Sequence, residues 1–390
     1  MISVEQALAH VFALVTPLGT ETVALQTAAG RVLRGAVQAE RDQPPFPASS
    51  MDGYAVCGIP EPGTRLRVIG EAAAGHAFAG VVQEGQAVRI LTGAPVPQGA
   101  ERIALQEDVT REGDWITLSA PFERGTHIRP QGQDFRAGDR ISAPRRLRPV
   151  DLAVLAAMNC PQVTVSKRPD VAIIATGDEL VMPGEQPRAD QIIASNAFAL
   201  KAMAEAEGAN ARLLPIAADT RDSLNTVFDL AAGADLVVTI GGASVGDHDL
   251  VGPVILGRGA ERAFYKVAMR PGKPLMAGRL DGAMLLGLPG NPVSSIVCGH
   301  LFMRPVLRAM QGLGAWPMPS AIAELACDLP ANGPRTHYLR ATLGPGPTIT
   351  PLPDQDSSLL SVLSQADALL IHGAGDGPRR AGAQMRYIAL

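Results

Sequence analysis

The sequence predicts a multidomain protein of α/β and β class, with one doubly wound α/β domain joined to smaller β-rich domains. Two observations lead there. Between residues 168 and 314, apolar runs at 171–175, 212–216, 235–240 and 284–288 alternate with helical patterns at 195–207, 223–232 and 292–310. Strand, helix, strand with short connections implies right-handed crossovers onto a parallel sheet. Outside that stretch, many of the 41 Gly and 32 Pro cut the chain into short extended runs, the pattern of small sheets rather than of a helix bundle.

Taken in order, residues 1–17 read as an amphipathic helix. Val4, Ala7, Leu8, Val11 and Leu14 share a face, Ser3 is the candidate cap and Pro17 the stop. Short strands follow at 65–69, 87–91, 102–105 and 115–118, and a helical pattern returns at 149–158 with Asp151 near its start. The last part is strand-like, except that the proline-rich segment 343–353 reads as an extended loop. The expected domains are 1–42 with 139–168, 43–138, 169–317 and 318–390.

Composition narrows the function. Apolar residues make up 46% of the 390 and aromatics only 4%, so a large core is available but must be filled by Ala, Val, Leu and Ile. A net charge of −4 argues against a general nucleic-acid binder, since counterion release needs a basic surface. Cys57, Cys160, Cys298 and Cys327 are far apart and lack Cys-x-x-Cys spacing. They read as reduced thiols rather than a disulfide scaffold or zinc site. No apolar run approaches membrane-spanning length and residues 1–10 lack a signal-peptide pattern, so a cytoplasmic protein with no membrane contact is expected.

Three turns carry the chemistry: Thr176-Gly177-Asp178-Glu179, the segment 241–249, and Pro289-Gly290-Asn291-Pro292. Each follows an apolar run, so all three should meet at the carboxyl rim of the sheet, where such folds bind ligands. Asp178 and Glu179 could ligate a metal, hold a hydroxyl or cap the next element. Asp247 and Asp249, two apart, share a face if extended and suit magnesium beside phosphates. Pro292 fits the first position of a helix whose N–H groups at Val293, Ser294 and Ser295 would face an anion. Arg270 and Lys273 sit on a Pro-Gly-Lys-Pro loop with a preset shape, and Lys266 lies just upstream. Gly242-Ala243-Ser244-Val245-Gly246 also matches a hydrolase nucleophile elbow, with His300, His337 or His372 as bases. Pro253 argues against the helix that such an elbow needs.

In order along the chain, Ser-Met-Asp-Gly-Tyr-Ala-Val (50–56), Arg-Ile-Leu-Thr-Gly-Ala (89–94), Thr-Gly-Asp-Glu-Leu (176–180), Gly-Gly-Ala-Ser-Val-Gly-Asp (241–247), Pro-Gly-Lys-Pro (271–274) and Gly-Leu-Pro-Gly-Asn-Pro-Val-Ser (287–294) resemble the molybdopterin molybdenumtransferase family, the MoeA type, similar to the E domain of gephyrin. The resemblance implies an elongated, four-domain homodimer with a MogA-like α/β domain. It implies insertion of molybdate into adenylylated molybdopterin with magnesium-assisted release of AMP, and molybdopterin adenylyltransferase as substrate donor. A gephyrin-like binding scaffold is the alternative within the same resemblance.

Carried over residue by residue, the family's functional acids fall on Asp52, Asp134, Glu179, Asp249 and Asp219. Asp219 joins Asp247 and Asp249 as a candidate for the metal. Thr92, Arg129, Lys266, Pro289 and Pro292 match other functional positions, and Ser244 and Asn291 lie within substrate-binding motifs. The oxyanion pocket falls on Arg270, Lys273, Arg340 and Ser361. Arg270 stands where many members have Lys, and a planar guanidinium presents a different fork to an anion. The first-half motifs are expected to complete the α/β site from the other subunit.

Overall fold

The computed structural model describes residues 1–122, 125–242 and 250–390. Helix α1 (Val4–Leu14) starts with a capping box: Ser3 Oγ accepts from the Gln6 N–H and Gln6 Oε1 accepts from the Ser3 N–H. It ends at Leu14, short of the expected stop, because Thr16 precedes Pro17 and is steered away from helical backbone. Arg279 donates to the freed Leu14 carbonyl at 2.6 Å. Val4, Ala7 and Val11 are buried against the core of the α/β region.

Residues 20–33 and 145–166 share a four-stranded sheet, in the order Thr20–Ala24, Gln162–Ser166, Val32–Leu33, Arg145–Arg146. Helix α2 (Pro149–Ala157) lies beside it. The chain between builds a six-stranded sheet around Gly53–Val56 and Gln86–Ile90. Alternate residues of that sheet feed two cores, Tyr54 and Val56 in one and Ala55, Val88 and Ile90 in the other, as the two-residue strand period requires.

The α/β sheet has the order Asn210–Leu213, Asp170–Ala175, Leu236–Ile240, Ala283–Leu288, Met276–Leu280, Glu261–Tyr265. Its first four strands are parallel and its last two antiparallel. Helices α3 (Asn196–Ala206), α4 (Arg221–Leu230) and α5 (Val251–Gly257) follow in sequence. The strand expected at 212–216 starts two residues earlier and ends at Leu213, since Pro215 has no N–H to give a ladder. The helix after Leu250 begins at Val251 with Pro253 in its first turn, so Pro253 does not delay it. The single helix expected over 292–310 is interrupted. α6 (Pro292–Cys298) passes through a π turn at Gly299–Met303 into α7 (Arg304–Met310). Pro305 cannot donate to the carbonyl four residues back, and the widened turn sits just before it.

The C-terminal strands Ala321–Leu325, Thr336–Leu343, Thr348–Pro351, Ala368–His372 and Gln384–Ala389 close into a small barrel through an extra pairing of Thr336–Leu343 with Ala368–His372. Helix α8 (Leu360–Leu363) is a single turn beside it. The segment 343–353 therefore contains a strand rather than only a loop. Pro345 and Pro347 precede the strand, Pro351 is its last residue, and Ile349 between them is fully buried. Met269–Arg270 leaves the α/β region to pair in parallel with the barrel strand, Arg270 opposite His337.

Candidate active site

The sheet order reverses between Asp170–Ala175 and Leu236–Ile240, which marks a switch point. A cleft of about 610 Å³ opens there, lined by the turns at 175–180, 240–242 and 289–292 and by the start of α3. The rim is tight. The Thr176 N–H donates to the Ile240 carbonyl and the Gly241 N–H to that of Leu288. Gly241 has φ +91°, and a Cβ on it would lie 2.9 Å from the Thr176 carbonyl oxygen and Oγ1, so only glycine fits.

Glu179, Asp219, Pro289, Asn291 and Pro292 line this cleft together. Asp178 turns away and accepts the Asp219 N–H at 3.0 Å, a turn-fixing role. Ser244, Asp247 and Asp249 lie outside the described residues. Two of the three N–H groups expected to meet an anion at the start of α6 have protein partners: Val293 donates to the Ser357 carbonyl at 3.1 Å and Ser295 to that of Asn291 at 3.0 Å. The barrel's 354–358 loop is thereby tied to this turn, with Asn291 Nδ2 also donating to Ser357 Oγ at 3.1 Å. Two further residues shape the cleft, Asn196 unnoticed in the sequence and Pro274 from the Pro-Gly-Lys-Pro motif. Asn196 holds the Gly290 carbonyl at 2.7 Å from α3, and Pro274 joins the lining. The Ser195-Asn196 pair opening a helix beside the rim was the available signal.

A second group of predicted residues forms around the barrel strand Thr336–Leu343. Arg340 is fully buried. Its Nη2 donates to the carbonyls of Asp354 and Asp356, at 3.3 and 2.9 Å, while Nε and Nη1 are buried without a partner. Two unspent donors on a buried cation are costly unless something accepts from them. Arg270 and Lys273 are exposed on the nearby loop, whose Pro271 and Gly272 are buried. Gly272 has φ +107°, and a Cβ there would stand 2.6 Å from Cys298 Sγ. Gly272→Ala should therefore cost about 1–3 kcal/mol in stability and displace Arg270 and Lys273. Thermal melting checks the stability cost. Lys266 has φ +70° and places Nζ 4.9 Å from the Tyr265 ring centroid. Ser361 is exposed on α8, and its carbonyl accepts from Ser364 and Gln365.

The first-half candidates gather elsewhere. Asp52 Oδ1 accepts both the Thr92 N–H at 2.7 Å and the Thr92 hydroxyl at 2.8 Å. Those bonds, helped by Arg89, hold its carboxyl below the usual range. Arg129 pairs in register with Ala48, four residues from Asp52, and the Asp134 N–H donates to the Gln43 carbonyl. None of these four lines the cleft.

His337 and His372 face each other across the barrel strands, and both Nε2 atoms are buried without partners. Burial, followed by Arg270, Arg340, His372 and Arg335, pushes the His337 imidazole down to about 4. The folded state thus binds fewer protons than the unfolded one between about pH 6.5 and 4. Stability from this group is present above pH 6.5 and is lost as the pH falls through that window, by roughly 2 kcal/mol. Urea unfolding of wild type and His337→Phe at pH 7.5 and 4.5 measures it; the variant should lose less stability on acidification.

Among the described residues no three His, Cys, Asp or Glu side chains gather as a metal cage, and no histidine lines the cleft. The carboxylates among the described cleft residues are those of Glu179 and Asp219.

Residues 2–159 match the family described as MoeA N-terminal region (domain I and II), 172–309 the probable molybdopterin binding domain, and 323–390 the MoeA C-terminal region (domain IV). A protein of Nostoc sp. named molybdopterin molybdenumtransferase is 36% identical over 336 residues, covering 83% of this chain and 77% of its own. The chain belongs to the MoeA family. A Staphylococcus aureus MoeA-family relative with the same printed name is 31% identical over 98% of this chain and 94% of its own. The crystal structure of a molybdopterin biosynthesis MoeA protein from Pyrococcus horikoshii superposes with a TM-score of 0.84 at 26% identity, over the whole of both chains. Membership leaves the hydrolase reading of Ser244 without support.

Proposed function

We propose that this chain is a molybdopterin molybdenumtransferase of molybdenum cofactor biosynthesis, inserting molybdate into adenylylated molybdopterin with release of AMP. The observation that carries the reading is the buried Arg340, with two unspent N–H donors beside the exposed Arg270. It is joined through the 354–358 loop to a cleft that bears Glu179 and Asp219. A tetrahedral dianion needs fixed cations, and a pterin phosphate ester needs a roomy rim site; the Arg340 group suits the first and the cleft the second. Arg340, Arg270 and Lys273 would hold the oxyanion, while Asn291 and the 289–292 turn would hold the pterin. The protein's contribution is then to align two reactants, with no nucleophile of its own.

Magnesium takes oxygen ligands, commonly one or two carboxylates completed by substrate phosphates. Glu179 and Asp219 suit that arrangement. Bound there, the ion would offset charge on the phosphates of the departing AMP. The chain is further proposed to work as a homodimer supplied by a molybdopterin adenylyltransferase, in a cytoplasmic setting. No described helix is long and apolar enough to cross a membrane.

Incubation with adenylylated molybdopterin, molybdate and magnesium, followed by quantification of AMP, tests the activity. Release of AMP that requires molybdate supports it. Binding of the adenylylated pterin with no AMP release under any molybdate concentration would overturn it.

A further inference from the structure

We infer that Asp354 and Asp356 set the affinity and charge selectivity of the Arg340 pocket, as fixed negative charges that an arriving oxyanion must work against. This rests on the oxyanion reading of that pocket.

The loop that carries them is tied internally. The Asp356 N–H donates to Asp354 Oδ1 at 3.0 Å, and the Ser358 N–H and hydroxyl donate to Asp356 Oδ1 at 2.8 and 2.6 Å. The same loop is fastened to Arg340 through carbonyl oxygens of residues 354 and 356, not through the carboxylates. Both carboxylates are therefore held close to the guanidinium without neutralising its free Nε and Nη1. They act on it through space. The Asp356 carboxyl is held below its usual range first by Ser358 and further by Arg340 and Arg270, while Asp354 and Asp356 work against the effect of burial on Arg340. A carboxylate that donates no hydrogen bond to a bound anion can only repel it.

The repulsion scales with the charge of the ligand. In a partly solvated site, a nearby carboxylate should weaken binding of a dianion by about three- to tenfold and of a monoanion by about the square root of that. Added salt should shrink both effects. The loop thereby limits how tightly the pocket holds any multiply charged tetraoxo anion, and it narrows the advantage of dianions over monoanions.

The test is calorimetric titration of the full chain at low ionic strength with molybdate and with perrhenate, a monoanion of the same shape. Asp354→Asn and Asp356→Asn keep the acceptor oxygen that ties the loop and remove the charge. Each should tighten molybdate binding about three- to tenfold and perrhenate about two- to threefold, with both gains falling at high salt. Equal gains for the two anions, no gain, or weaker binding would overturn the inference. Arg340→Gln separates it from the reading beneath it. If molybdate binding survives that change, the pocket is elsewhere and both fail; if it is lost there but indifferent to the Asn variants, only the counter-charge role fails. The salt dependence of the unmodified chain gives a readout even where an Asn variant loosens the loop.

Discussion

Mixed dimers built from Asp52→Ala and Glu179→Ala chains should recover about a quarter of wild-type activity, although either variant alone turns over at least about a hundredfold more slowly. Random pairing makes half of the dimers mixed, and each mixed dimer carries one intact site of two. The expectation comes from where the residues lie. The cleft holding Glu179 is lined entirely by residues from 175 to 292. Asp52, with Thr92 bonded to it, belongs to a separate sheet built from residues 53–118. A carboxylate with a depressed pKa and two donors on one oxygen is prepared for a cation or a donor group that its own surroundings do not supply. Refolding the two variants together and measuring AMP release per demonstrated mixed dimer decides it. No recovery would place both residues in one subunit's site.

Arg340→Gln should weaken molybdate binding by about a hundredfold or more while leaving thermal stability within about 1 kcal/mol of wild type. Hydrogen bonds to a charged group are worth roughly 1.5–3 kcal/mol each, and two buried donors are available. The stability side is a near-cancellation. Gln gives up the bonds to the Asp354 and Asp356 carbonyls but relieves the burial of a charge, and replacing buried ionic groups is often close to neutral. Melting curves and the molybdate dependence of turnover separate this from a structural arginine. A large fall in stability with unchanged molybdate dependence would remove Arg340 from the pocket.

The sequence revealed most about the parts governed by local rules. Strand ends marked by glycine and acid identified Glu179 and the 289–292 turn as partners, because a parallel sheet brings every carboxyl end to one rim. The Ser3 cap was legible because Gln6 stands three residues on. What escaped notice depends on contacts between distant segments. Nothing near Val293 announces that its N–H is taken by Ser357, some sixty residues later. The break in the 292–310 helix was written in Pro305, yet the apolar periodicity on both sides concealed it. Nothing in the sequence near Ser357 shows that its hydroxyl accepts from Asn291, because the barrel segment has no strong pattern of its own.

The pairing of Met269–Arg270 with the barrel strand bears on how members of this family can be recombined. The C-terminal unit looks like a cassette that could be exchanged at the junction near residue 320, but its sheet borrows a strand encoded some fifty residues upstream. A chimera cut at that junction would pair one parent's Arg270 with the other parent's equivalent of His337. Crossovers that transfer 269–274 together with the barrel keep the borrowed strand with its native neighbour, and libraries designed on that boundary should retain more soluble, active members than libraries split at residue 320.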